Sequence, residues 1–225
     1  MSADAPAIRN RISARFDELG LVAKTADIQQ LTDYFCLLAK WNDKINLTSL
    51  PVDTGAISAI DRLLVEPMVA SRLVFPTDEL LVDLGSGGGS PGFPLKIGAQ
   101  HVRLVLVESR ERKCAFLREV ARSLAFSGVE VANTRFEALK SRADLAGRVD
   151  LVSFRAVRAD DALWSTATWL LKPGGRAFWF GGPELHAGQE LMDVSPGLAL
   201  ASSHTLVPAG IDNGPSRLAV IQKTT

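Results

Sequence analysis

Ile8, Ile12, Phe16 and Leu19 recur at three- to four-residue spacing against a polar background and stop at Gly20, and Ile28, Leu31, Phe35 and Leu38 repeat the pattern after Asp27. That period predicts two amphipathic helices. The segment from Ala56 to Leu73 is helix-like as well, so residues 1–75 are expected to form a helical cap and residues 76–225 the domain that follows it. From Leu80 the pattern changes to short β-rich runs alternating with helices: LLVDL, VRLVLVE, VEVANT, VDLVSF, RAFWF, LALASSHTLV and RLAVIQK. Near-continuous apolar strands separated by helices imply a parallel sheet covered on both faces. The last two runs have no helix between them, only PAGIDNGP, and are expected to pair as a hairpin that makes one antiparallel edge. The fold class is therefore α/β, a mostly parallel seven-stranded sheet with a helical N-terminal extension.

Composition adds bounds. A chain of 225 residues, 47% of them hydrophobic, is enough for one medium α/β domain with a small appendage. Its apolar segments all fall short of the roughly 18 residues that span a bilayer, and the charged start MSADAPAIRNR lacks the apolar centre of a signal peptide, so a cytoplasmic protein without membrane attachment is expected. Cys36 and Cys114 lie far apart in apolar helical surroundings, which predicts reduced core thiols. Formal net charge is zero, so a nucleic-acid partner would have to be met by a local patch. One segment offers it: His101 to Arg148 carries ten Lys/Arg against six Asp/Glu, although a solvated helix face explains such a run more often than RNA does.

The candidate chemistry centres on LLVDLGSGGGSPGFPLKI, residues 80–97, where an apolar strand runs into Asp83, a glycine-rich turn and a short apolar helix. Glycines let a ligand approach the backbone, and a helix start presents further N–H groups. Gly87-x-Gly89-x-x-Gly92 matches the dinucleotide fingerprint, but a reading from the strand end, Gly85-x-Gly87-x-x-Ser90, does not, and a lone match is weak. Asp83 discriminates. Its charge would repel a pyrophosphate and would attract a ligand carrying an ammonium and a sulfonium, which points to S-adenosylmethionine. Glu108 ends the second strand 21 residues after Gly87, where α/β cofactor folds place an acid on the ribose hydroxyls, a feature shared by both nucleotide readings. The bland alternatives are a turn-capping role for Asp83 and a helix-start acid opposite Arg112 for Glu108.

The same loop, preceded by YFCLLAKWNDKINLTSL at 34–50 and followed by LVESRERKCAFLREV at 106–120, NTRFEAL at 133–139 and FRAV at 154–157, resembles the bacterial RsmG (GidB) family, the glucose-inhibited division protein B methyltransferases. The resemblance runs in order through nearly the whole chain. It implies a Rossmann-like class I methyltransferase that moves a methyl group from S-adenosylmethionine to N7 of a guanine in 16S ribosomal RNA, with that RNA or the small ribosomal subunit as partner. Carried over by residue, it implies that Asp83, Gly85, Gly87 and Gly89 line the methionine end of the cofactor and that Glu108 takes the ribose. Arg135, Phe136 and Glu137 would lie near the adenine, and Arg155, with Ala156, would border both the cofactor and the target and act as the catalytic residue. A monomer is expected, acting without a metal.

The residues agree with an N7 target. Guanine N7 has an available lone pair, so in-line displacement needs alignment and no prior proton abstraction. His101, His186 and His204 form no close cluster, the cysteines are not in a Pro-Cys setting, and the fourth strand ends Ser153-Phe154-Arg155-Ala156 where exocyclic amine methylation would call for Asn/Asp-Pro-Pro-Tyr. Phe154 and Trp41 are read as packing residues in preference to base-stacking ones.

Three positions depart from the family pattern. Asp61-Arg62-Leu63-Leu64-Val65-Glu66 stands where relatives often have Arg-His-x-x-Asp-Ser, Gly181 stands where they usually have lysine, and Ser216, beside Arg217, replaces an arginine. The alternatives that stay open are a methyltransferase of the same fold acting on another RNA or a small molecule, and a ribosome-associated protein that binds the cofactor with little or no turnover.

Overall fold

The computed structural model of the chain describes residues 4–182, 193–208 and 215–224. Helices α1 (Ala5–Glu18) and α2 (Thr25–Ile45) follow the two periodic stretches, and α1 gives way to Gly20 at φ +63°. The second helix starts three residues before the first apolar residue of its period, Ile28: Asp27 lies inside the first turn, where its carboxylate accepts the Lys24 N–H at 3.3 Å. The third helical stretch is interrupted. It comprises α3 (Ile57–Ile60), a wide π-helical turn (Asp61–Val65), α4 (Glu66–Ala70) and a 3₁₀ turn (Ser71–Leu73).

The sheet opens with β1 (Leu80–Leu84), followed by α5 (Gly92–Gly98), β2 (Arg103–Glu108), α6 (Glu111–Ser123), β3 (Val129–Asn133), β4 (Val149–Arg155), α7 (Asp161–Leu170) and β5 (Leu171–Phe180). β6 (Asp193–Ser195), β7 (Leu198–Val207) and β8 (Ser216–Lys223) complete it. The order is β3-β2-β1-β4-β5-β8-β7-β6. β1 to β5 pair in parallel, whereas β8 runs antiparallel to β5 and to β7. All seven expected strands are present, including the antiparallel terminal hairpin. The short β6 is an eighth, paired to β7, and three residues are too few to carry a period.

The cap and the sheet share one core. Ile12, Leu31, Tyr34, Phe35 and Leu64 from the cap are fully buried and belong to the same cluster as Leu81, Leu104, Leu106 and Phe178 on one sheet face. The other face packs on α7 through Val82, Val152, Phe154, Trp164 and Ala177. The boundary expected at residue 75 is thus continuous in packing. Trp41 meets Phe116 of α6 with ring centroids 5.7 Å apart, and Phe154 is buried between Trp164 and Trp179, so both aromatics serve packing as expected. Cys114 is buried, Cys36 half-buried, and both are free thiols. His186 lies outside the described residues, while His101 reaches the Phe75 carbonyl and His204 the Ser202 hydroxyl.

Candidate functional site

Strand order reverses between β1 and β4, and in open α/β sheets ligands bind in the crevice beyond the strand ends at such a reversal. The glycine turn leaves β1 there. Gly85, Gly87 and Gly89 adopt φ values of +71°, +52° and +87°, which side chains rarely adopt, and a Cβ on Gly85 would stand 2.6 Å from Val157 Cγ2. The turn thereby lies tightly against the segment leaving β4.

Four N–H groups of this turn are used internally. Gly85 and Ser86 donate to the Val107 carbonyl at 2.9 and 3.0 Å, Gly87 to Glu108 Oε2 at 3.0 Å, and Gly89 to the Ser86 carbonyl at 2.6 Å. A phosphate cradle needs such donors free. The turn presents carboxylates instead.

Asp83 is fully buried, and its Oδ1 accepts the Ser153 hydroxyl at 2.7 Å while Oδ2 has no partner. Burial pushes its acid strength down, to a pKa of about 6, against the opposing pull of the Ser153 and Ser86 hydrogen bonds and of the Arg155 charge. Gly92, whose added Cβ would lie 3.1 Å from Oδ2, keeps the space beside that oxygen clear of a side chain. Glu108 is buried at the end of β2, where Oε2 receives Gly87 N–H and Oε1 receives Arg110 N–H at 2.8 Å. Each oxygen keeps a second lone pair for a ligand hydroxyl. Arg135, Phe136 and Glu137 follow β3, the first and last exposed and Phe136 half-buried against the core.

Arg155 is the last residue of β4, but it does not stand open in the crevice. Its guanidinium donates to Glu66 Oε2 at 2.8 Å and to the Arg62 carbonyl, lies 4.6 Å over the Phe180 ring, and leaves Nε buried without a partner. Burial pulls its pKa down to about 10, with Glu66 acting to raise it, so it remains a cation at neutral pH. The departure at 61–66 is what occupies it.

Several contributors carry no motif of their own. Tyr34, the chain's single tyrosine, is fully buried in α2, and its hydroxyl donates to the Gly88 carbonyl at 2.7 Å. A tyrosine within a helix's apolar stripe needs a polar partner, which is the one clue the sequence holds. Ser86 locks the turn, donating to the Asp83 carbonyl at 2.9 Å and accepting Val107 N–H at 3.1 Å. Ser90 donates to the Leu63 carbonyl at 2.8 Å, tying the turn to the π-helical segment.

Residues 27–200 match the family model described as GidB, rRNA small subunit methyltransferase G. The chain belongs to the GidB family. Similar relatives named ribosomal RNA small subunit methyltransferase G occur in Stenotrophomonas maltophilia, at 35% identity covering 74% of this chain and 77% of the relative, and in Pseudomonas aeruginosa, at 30% identity covering 92% of each. Among solved structures, a predicted O-methyltransferase from Agrobacterium tumefaciens superimposes with a TM-score of 0.53 at 16% identity, covering 72% of this chain and 82% of the other. TYW2 from P. horikoshii, in complex with MeSAdo, gives 0.53 at 15% identity, covering 71% and 62%. At those identities the likeness concerns the fold alone, and it agrees with the GidB assignment in placing the chain among class I methyltransferase folds.

Proposed function

We propose that this GidB-family chain transfers a methyl group from S-adenosylmethionine to N7 of a guanine in 16S ribosomal RNA. The observation that carries the cofactor half is the pairing of a glycine turn that uses four of its N–H groups internally with a buried carboxylate oxygen left without a partner. An ammonium offers that oxygen a charged donor, and a pyrophosphate offers it only repulsion. The bound cofactor supplies a methyl group on a cationic sulfur.

The chain's residues bind and orient. Asp83 receives the ammonium, Glu108 the ribose hydroxyls, and Gly85, Gly87 and Gly89 keep the approach free of side chains. Arg135, Phe136 and Glu137 border the adenine, with Phe136 offering the apolar surface. Arg155 holds the end of β4 beside the target, the role left to it once its Nη groups are engaged by Glu66 and the Arg62 carbonyl. N7 attacks through its own lone pair, so the protein's contribution is alignment and the exclusion of water, worth several orders of magnitude in rate when the reacting atoms are held in line. The reading takes the protein as a cytoplasmic monomer.

Mass spectrometry of 16S ribosomal RNA from a strain lacking the gene tests it. One 7-methylguanosine should disappear and return on complementation. An unchanged 16S methylation pattern, with loss of a mark on another RNA, would move the substrate while keeping the chemistry.

A further inference from the structure

The π-helical turn Asp61–Val65 sits over the crevice, tied to the glycine turn through Ser90 and to the end of β4 through Arg155. Wide turns of this kind recur at functional sites, where they re-aim side chains. Here the turn and the residue after it assemble three charges. Glu66, with a side chain 4% exposed, receives Arg155 Nη2 at 2.8 Å and Arg62 Nη1 at 3.2 Å. Arg155 is 7% exposed, whereas Arg62 is 37% exposed. Two guanidiniums share one carboxylate, so the group carries a surplus positive charge, and of the three side chains Arg62 is the one exposed to solvent.

Arg62 also occupies a particular place on the rim. Phe180 pairs with Arg155 across the parallel β4–β5 ladder, so Gly181, the next residue, follows the strand end beside the crevice. A Cβ on Gly181 would lie 3.5 Å from Arg62 Nη2. Among the described residues, Arg62 Nη2 has no hydrogen-bond acceptor, and Gly181 leaves the space beside it without a side chain.

We propose that Arg62 binds a backbone phosphate of the RNA substrate at the rim of the crevice, with Glu66 positioning its guanidinium and Gly181 leaving the approach open. The inference rests on the RNA reading above. A planar guanidinium already anchored at one nitrogen loses little further freedom on gripping a phosphate, and arginine's fork matches phosphate oxygens in pairs. The buried Glu66–Arg155 pair cancels its own charge, so the field at the rim is that of Arg62.

The test measures binding of transcribed 16S ribosomal RNA over a salt series, together with S-adenosylmethionine binding by calorimetry, for the full chain and its variants. Arg62→Gln should weaken RNA binding about tenfold and reduce the slope of log affinity against log salt by about one, the signature of one lost phosphate contact. Arg62→Lys should keep that slope, and cofactor affinity should stay within about twofold in both, since the cofactor residues are untouched. Gly181→Asp, at a φ that aspartate tolerates better than most residues, should neutralise Arg62 in place and reproduce the reduced slope even if Arg62→Gln proves unstable. A wild-type slope in Gly181→Asp or in a folded Arg62→Gln, or a lysine variant as impaired as the glutamine one, overturns the proposal. Failure of the wild-type protein to bind the RNA at all would instead sink the substrate reading, and the proposal with it.

Discussion

Two buried aspartates on adjacent strands are treated in opposite ways. Asp150, at the N-terminal end of β4, accepts the N–H groups of Glu79 and Leu80 at 3.0 and 2.9 Å and pairs with Lys172. Burial acts to raise its pKa, but the Lys172 hydrogen bond and the two N–H donors outweigh it and hold the carboxyl below its ordinary value. Asp83, at the C-terminal end of β1, keeps an orphaned oxygen and a raised pKa. One end of the sheet is electrostatically finished and the other is not. Of the three buried side-chain atoms without a partner among the described residues, two, Asp83 Oδ2 and Arg155 Nε, lie at that C-terminal end. The closed end satisfies its own buried carboxylate, and the open end leaves a buried carboxylate oxygen without a donor.

The sharpest way to break this comparison is to remove each carboxylate. Asp150→Ala strands two N–H groups and removes the partner of Lys172, and should cost about 3 kcal/mol of stability by denaturant unfolding, with cofactor affinity unchanged in whatever fraction stays folded. Asp83→Asn should do the reverse. The native pKa of Asp83 stands near 6 against an ordinary 3.8, so between those values the native state holds the extra proton and stability falls as pH rises. Above 6 the full penalty, about 3 kcal/mol by this linkage, is present, so the asparagine variant should be at least as stable as wild type at pH 8 while losing about 1–3 kcal/mol of cofactor binding. A loss of stability equal to that of Asp150→Ala would erase the distinction between the two ends.

A smaller effect concerns the glycine turn. Gly85→Ala combines a positive φ with a Cβ 2.6 Å from Val157, and should lower cofactor affinity about tenfold, an outcome that calorimetry checks and that Val157→Ala should partly relieve. The smallest tests the cap. Tyr34→Phe removes the hydroxyl on the Gly88 carbonyl and should cost about 1 kcal/mol of stability, seen as a melting shift of a few degrees.

How much of this was legible follows from which forces act locally. Strand runs, the terminal hairpin and the placement of Asp83, Glu108 and Arg155 at strand ends were readable, because apolar periodicity and turn chemistry are written in contiguous residues. Contacts between distant segments were not. Ser153 donating to Asp83, Tyr34 reaching Gly88 and Glu66 capturing Arg155 join residues 54 to 89 positions apart, and nothing in the local pattern encodes them. Arg155 is the instructive case: its position was predicted, but its burial depends on Glu66, which the motif comparison marks only as a departure. Beside position 181, where the family's cation is absent, stands Arg62, a residue whose nearness to β5 only the folded chain reveals.

The central claim is that Asp83 is the unfinished carboxylate that S-adenosylmethionine completes. Calorimetry of cofactor binding at pH 6, repeated in buffers of different ionisation enthalpy, tests it directly. With Asp83 about half protonated in the free protein, capture of the ammonium should drive it to the carboxylate and release up to about half a proton, absent in Asp83→Asn. Tight binding with no proton release in the wild type, and an equal affinity in the asparagine variant, would contradict the account.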